Sequence, residues 1–266
     1  MSLGKIGISS FSFPVAVRAG MRPLEVLQFA ASQGVPVVQL ADNVNLERLT
    51  REELKELADF AREHGLELEA GFKGLSRERI PLLLDINRRL DSRMLRIVAH
   101  APGISPAAGE VAAMLEEMVP LAEKEDILLG LETHDAYPCE EYAAIVKRVD
   151  SPRVGIVLDP VNCLSNEERP LDVAVALAPY SNSCHLKDYI IRRRTIGSGL
   201  EIFGTALGQG RADISGILQQ VREHAPLPCN VIHECWAESF EPSPGNLQRE
   251  QQMLLDSLAY LRNCMT

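Results

Sequence analysis

The six cysteines, Cys139, Cys163, Cys184, Cys229, Cys235 and Cys264, form no CxxC pair. That absence removes the commonest thiolate metal and dithiol redox motifs. No apolar run approaches eighteen residues, so no membrane span is expected. The opening MSLGKIGISS lacks a charged start and a long apolar stretch, so no secretory leader is expected. Together these absences predict a cytoplasmic protein with free thiols. Positive charge is scarce: 27 Lys and Arg stand against 37 Asp and Glu, a net −10. A surface that acidic argues against nucleic acid as a partner. It leaves anionic small molecules open, because a pocket can differ from the whole. No internal repeat, linker or low-complexity segment divides the chain, so residues 1–266 read as one domain. With 46% hydrophobic residues the chain has ample material for a large core.

What is present is alternation. Eight apolar runs of strand length, KIGISSF, VPVVQLA, LELEAGF, MLRIVAH, ILLGLETH, VGIVLD, NSCHLKD and CNVIHECW, are separated by amphipathic helical stretches. TREELKELADFAREHG shows the clearest helix. Thr50 and Glu53 make a capping box, Gly65 closes it, and Leu54, Leu57, Ala58 and Ala61 form the apolar stripe. The first helix has Pro23 in its opening turn and Gly34 past its end. Eight such units predict an α/β fold, a single (β/α)8 TIM barrel. A doubly wound open sheet is the runner-up, but GISSFSFP after the first strand contains no GxGxxG. The stretch from about Tyr189 to Gly210 reads as a long irregular loop, which is more often functional than idle.

In such a barrel the site lies at the carboxyl ends of the strands. Strand five ends in GLETH with Glu132, and strand six in IVLDP with Asp159. Strand seven ends in CHLKD with His185, and strand eight in IHECW with Glu234. Each alone has an ordinary explanation as a salt-bridged strand end, a turn residue, a core histidine or a solvated edge. Together they are harder to dismiss, because adjacent strands lie about 4.8 Å apart and the four can converge. Converging carboxylates repel unless a cation is present. Oxygen-rich ligation with one imidazole favours a single divalent ion, Mn²⁺ foremost, then Mg²⁺ or Co²⁺, with Zn²⁺ admissible.

The order Glu, Asp, His, Glu on strands five to eight, with HLKD, LGQG and HECW, resembles the xylose-isomerase-like TIM barrels, specifically the sugar phosphate isomerase/epimerase family. The resemblance spans essentially the whole chain. It implies that Glu132, Asp159, His185 and Glu234 bind the metal and that Glu132 and Glu234 move a proton between carbons. The substrate it implies is a small keto-sugar or sugar phosphate, reacting through an enediolate. Many members carry a histidine three residues after the strand-six aspartate, where this chain has Asn162. Asparagine can hold a hydroxyl but cannot take a proton. Segments VVQLADN, DPVN and HLKDYIIRR resemble a branch of 3-oxo-isoapionate decarboxylase-like barrels, so decarboxylation of an oxidised sugar acid is the alternative.

Lys187 shares strand parity with His185 and can face inward to hold a carboxylate or phosphate, or instead pair with Asp188. His134 and Trp236 share parity with Glu132 and Glu234 and are candidate substrate contacts. So are Asn162 and, from the arginine run at 192–194, Arg192, although such a run is usually a solvated face. The LGQG segment can offer backbone N–H groups to a ligand, and Gln39, Asp42 and Asn43 can meet hydroxyls. Cys184 and Cys235 have the parity of the helix layer, which excludes a thiolate site. An apurinic-site endonuclease would need further histidines; His100 resembles one such position, but Asn162 and the EAGFKG strand end supply none. A non-catalytic sugar-binding barrel is disfavoured by the intact ligand set, and homo-oligomerisation is left open.

Overall fold

The computed structural model describes residues 3–265; Met1 and Ser2, on which part of the leader expectation rests, lie outside the described residues. The chain alternates strand and helix as its sequence predicts. The barrel strands are β1 (Ile6–Ser9), β2 (Val37–Leu40), β3 (Glu67–Lys73), β4 (Met94–Val98), β5 (Leu128–Glu132), β6 (Val154–Leu158) and β7 (Ser181–Leu186). A hairpin, β8 (Asp188–Arg193) and β9 (Leu200–Thr205), intervenes before the last barrel strand, β10 (Asn230–His233). The eight barrel strands close in the order β1-β10-β7-β6-β5-β4-β3-β2, each pair parallel. Parallel strands covered by helices are buried on both faces, which is why their sequences are nearly continuous apolar runs.

The helix signals act as read. Thr50 Oγ1 accepts from Glu53 N at 3.2 Å, and the Glu53 carboxylate accepts from Thr50 N at 2.8 Å, opening the helix Arg51–His64. Gly65 (φ 66°) and Gly34 (φ 64°) end their helices in the left-handed region that favours glycine. Leu54, Leu57, Ala58 and Ala61 are buried. Among the described residues no helix is long and apolar enough to cross a membrane, and all six cysteines are free thiols.

The segment from Tyr189 to Gly210 is not irregular. Most of it is the antiparallel hairpin β8–β9, with Ile191 opposite Ile202. Tyr189, Ile190 and Ile191 on one strand and Ile202 and Phe203 on the other favour extended backbone. The arginine run and the Gly-Ser turn between them mask that pattern. The LGQG segment that follows does present backbone N–H groups, but to a side chain of this protein. The Asp188 carboxylate accepts from Tyr189 N (2.8 Å), Gly208 N (3.0 Å), Gly210 N (2.8 Å) and Ala212 N (3.0 Å). Asp188 therefore has no need of Lys187. Asp188→Asn should weaken these charge-assisted bonds and oppose an amide NH₂ to backbone donors, lowering stability by about 3 kcal/mol. Urea denaturation measures this, and an unchanged midpoint would show that the loop is held by other contacts.

Candidate metal centre

The strand ends deliver their side chains to one place. Glu132 closes β5, Asp159 follows β6, and His185 lies in β7. Glu234 sits one residue beyond β10, where its N–H donates to Leu186 O at 3.0 Å and continues the parallel ladder. One ligand atom from each of Glu132, Asp159, His185 and Glu234 lies within 4.8 Å of all the others, and all four residues are buried. His185 Nδ1 is 3.3 Å from Glu234 Oε1, 3.6 Å from Glu132 Oε2 and 3.9 Å from Asp159 Oδ2. None of these contacts is aligned as a hydrogen bond: both ring nitrogens of His185 and Glu234 Oε1 are buried without a partner among the described residues. Buried polar atoms left unmatched are costly. An imidazole nitrogen and three carboxylates gathered this closely fit a divalent cation.

Two buried cations surround this cluster. Arg96, in the middle of β4, donates to Glu132 Oε2 and, through Nη1, to Asp42 Oδ1 at 2.9 Å. Gly71 stands beside Arg96 in the β3–β4 register; a Cβ there would lie 3.1 Å from Arg96 Cδ, so the missing side chain makes room for the guanidinium. Lys187 Nζ lies 2.7 Å from Asp159 Oδ2, 3.0 Å from Glu234 Oε2 and 3.2 Å from Asn162 Oδ1. Burial opposes the charge of Lys187, but Asp159 and Glu234 outweigh it and hold the ammonium protonated. Burial likewise raises the Glu234 carboxyl, yet Lys187 and His185 bring it well below the usual carboxylate range. Glu132 is lowered against burial by Arg96 and His185. Asp159, the most enclosed, is raised by burial.

Lys187 thus faces inward, as its parity implies, but its partners are the candidate metal ligands. Lys187 and Asp188 do not pair, because the Asp188 carboxylate is taken by four backbone N–H groups. Asn162 bridges the two glutamate networks: Nδ2 donates to Glu132 Oε1 and to Thr133 O, each at 3.2 Å, while Oδ1 accepts from Lys187. A cavity of about 240 Å³ opens above, and Asn162, Lys187, His134 and Trp236 all line it. His134 is also paired with Asp135, and the Trp236 ring centroid lies 5.4 Å from Lys187 Nζ. Arg192 is not brought there. It projects from the hairpin, pairs with Glu238 at 2.8 Å and leans on Phe203.

Of the residues at the end of β2, Asp42 lines the cavity, Gln39 is buried on Glu69, and Asn43 is bonded to Ser10. His100 bonds Tyr137 Oη and Pro106 O and is outside the cluster. Cys235 stands at the cavity wall and also beside Val15, Glu250 and Met253 of the flanking helices, with Sγ 3.6 Å from Ser12 O. Burial pushes its thiol up, so a thiolate is still excluded. Arg96 and Lys73, which also line the cavity, were not foreseen. A charged residue inside an apolar strand at inward parity was the available signal.

Comparisons with known proteins agree with this architecture. A model of the xylose isomerase-like TIM barrel family matches residues 27–264. The 3-oxo-isoapionate decarboxylase of Pectobacterium atrosepticum is 31% identical over 262 residues, covering 96% of this chain and 94% of that protein. The crystal structure of D-psicose 3-epimerase in the presence of D-fructose superposes with a TM-score of 0.74 at 16% identity, over 98% of this chain and 99% of that one. A xylose isomerase-like TIM barrel protein from Mycobacterium smegmatis in complex with magnesium gives 0.68 at 15% identity, over 98% of each chain.

Proposed function

This chain belongs to the xylose isomerase-like TIM barrel family, and on that premise we propose that it is a divalent-metal-dependent isomerase or epimerase of a small keto-sugar or sugar phosphate. Glu132, Asp159, His185 and Glu234 would hold the ion, Mn²⁺ foremost. One observation carries the reading. Of the four clustered residues, Glu132 and Glu234 line the cavity, whereas Asp159 and His185 lie beneath it. The two glutamates are therefore the members of the set placed to reach a substrate. A bound divalent cation would supply charge stabilisation for a carbonyl oxygen that becomes negative. Glu132 and Glu234, ionised beside Arg96 and Lys187, are positioned to take a proton from carbon and to return one. Asn162 fixes the orientation of Glu132 Oε1. Trp236 and His134 supply walls against which a small carbohydrate can lie.

A second reading is decarboxylation of an oxidised sugar acid, and a specific observation favours it. Glu132 Oε2 accepts from Arg96 and Glu234 Oε2 from Lys187, so both glutamates are weakened as bases toward carbon acids. Loss of CO₂ leaves an enediolate without any proton abstraction, and a glutamate is then needed only to see carbon reprotonated. The relative from Pectobacterium atrosepticum carries the name of such an enzyme. The two readings separate in D₂O. An isomerase or epimerase should introduce deuterium at carbon into recovered sugar without releasing CO₂. Stoichiometric CO₂ from a keto-acid, with no exchange into neutral ketoses, would replace the first reading by the second.

A further inference from the structure

We propose that Lys73 is the anion-binding residue of this site and that the substrate is a small anionic carbohydrate, held by its carboxylate or phosphate. The proposal rests on the reading above for the carbohydrate and the metal; the role of Lys73 stands on its own geometry.

Lys73 ends β3 at the parity of Glu69 and Gly71, and its half-buried side chain lines the same cavity as Glu132 and Glu234. Its strand end is pinned, because Lys73 O accepts from Arg79 Nη1 at 2.6 Å. The other cations of the cavity are occupied: Arg96 by Glu132 and Asp42, Lys187 by Asp159 and Glu234. Lys73 makes no ion pair with any carboxylate among the described residues. Asp135 feels its field but is bonded to His134 and largely exposed.

The charges of the site point the same way. Four carboxylates, Asp42, Glu132, Asp159 and Glu234, face Arg96 and Lys187. The two negative charges left over match one divalent cation. Among the charged side chains that line the cavity, Lys73 is then the positive charge left over; Asp135, which is not in the lining, is paired with His134. A neutral ketose would leave Lys73 unmatched, whereas one anionic group would meet it. An ammonium is a compact point charge that suits either a carboxylate or a phosphate. A single surplus charge matches the monoanion best.

Binding of unreactive probes tests this without relying on turnover. Calorimetry on the Mn²⁺-loaded protein would compare D-gluconate and D-xylonate with their uncharged counterparts, glucitol and xylitol, and with glucitol 6-phosphate. The expected result is a preference of roughly ten- to a hundredfold for the anions, the size of one charge-assisted hydrogen bond. Lys73→Met should abolish that preference, and Lys73→Arg should restore much of it. Lys73→Gln serves if the methionine variant does not fold. Tighter binding of the aldonates identifies carboxylate as the anion, and tighter binding of the phosphate identifies phosphate. Equal affinity for charged and uncharged probes, binding of neither, or a preference that survives in the folded Lys73 variants overturns the proposal. Elemental analysis of each protein keeps the two readings apart. A wild-type protein that takes up no metal but shows a Lys73-dependent preference would sink the metal-enzyme reading alone.

Discussion

His185→Ala should lower divalent-metal affinity by at least ~100-fold, more than is typical for losing a residue that only orients a ligand. The imidazole is the one nitrogen donor of the cluster, and it is enclosed by three carboxylates at 3.3–3.9 Å. Removing it leaves a cavity that water can enter but that offers no fixed donor. Glu132→Gln and Asp159→Asn should act in the same direction, each removing a negative charge as well as a contact. Metal affinity should also fall as pH drops. Burial disfavours a proton on His185, but Glu234 and Glu132 more than compensate and raise its pKa. Proton and metal therefore compete for the same nitrogen, and acidification favours the proton. Competition titration with a metal indicator at two pH values, followed by elemental analysis of the variants, measures all of this. Full occupancy in His185→Ala, Glu132→Gln and Asp159→Asn alike would remove the site.

The clustering of Glu132, Asp159, His185 and Glu234 was legible in the sequence because each lies at or next to the end of an apolar run, and the barrel rule says where such ends meet. The same rule applied to β3 would have drawn attention to Lys73. Arg96 sits inside MLRIVAH rather than at its end, and only the register with Gly71 shows that the barrel interior has room for a guanidinium. Distances across the barrel are a property of closure, so the attachment of Arg96 to Glu132 and Asp42 has no trace in local pattern. The hairpin β8–β9 was read as an irregular loop because the charges and the Gly-Ser turn hide the extended-backbone residues on either side of them. Lys187 was legible as inward-facing. Its partners were not, because they come from β6 and from beyond β10, at sequence separations that no local reading reaches.

Lys187→Met should destabilise the metal-free protein and at the same time enlarge its response to metal. Lys187 is 4% exposed and meets Asp159 at 2.7 Å and Glu234 at 3.0 Å. Methionine keeps most of the stem volume, so packing changes little. What is lost is the counter-charge of two enclosed carboxylates, and removing one partner of a buried ion pair costs about 3–5 kcal/mol. Part of that loss is relieved if Asp159 takes up a proton, toward which burial already inclines it. A divalent cation relieves it more fully. With the ammonium gone, the carboxylates attract the ion without a competing positive charge beside it, so metal should bind more tightly than to the wild type. Thermal melts with and without Mn²⁺ would show a lower Tm for the metal-free variant and a larger upward shift on loading. Turnover should nevertheless fall, because Glu234 and Asn162 lose the contact that orients them. A metal-free variant as stable as the wild type, or a shift no larger than the wild type's, would mean that Lys187 does not balance the charge of the clustered carboxylates.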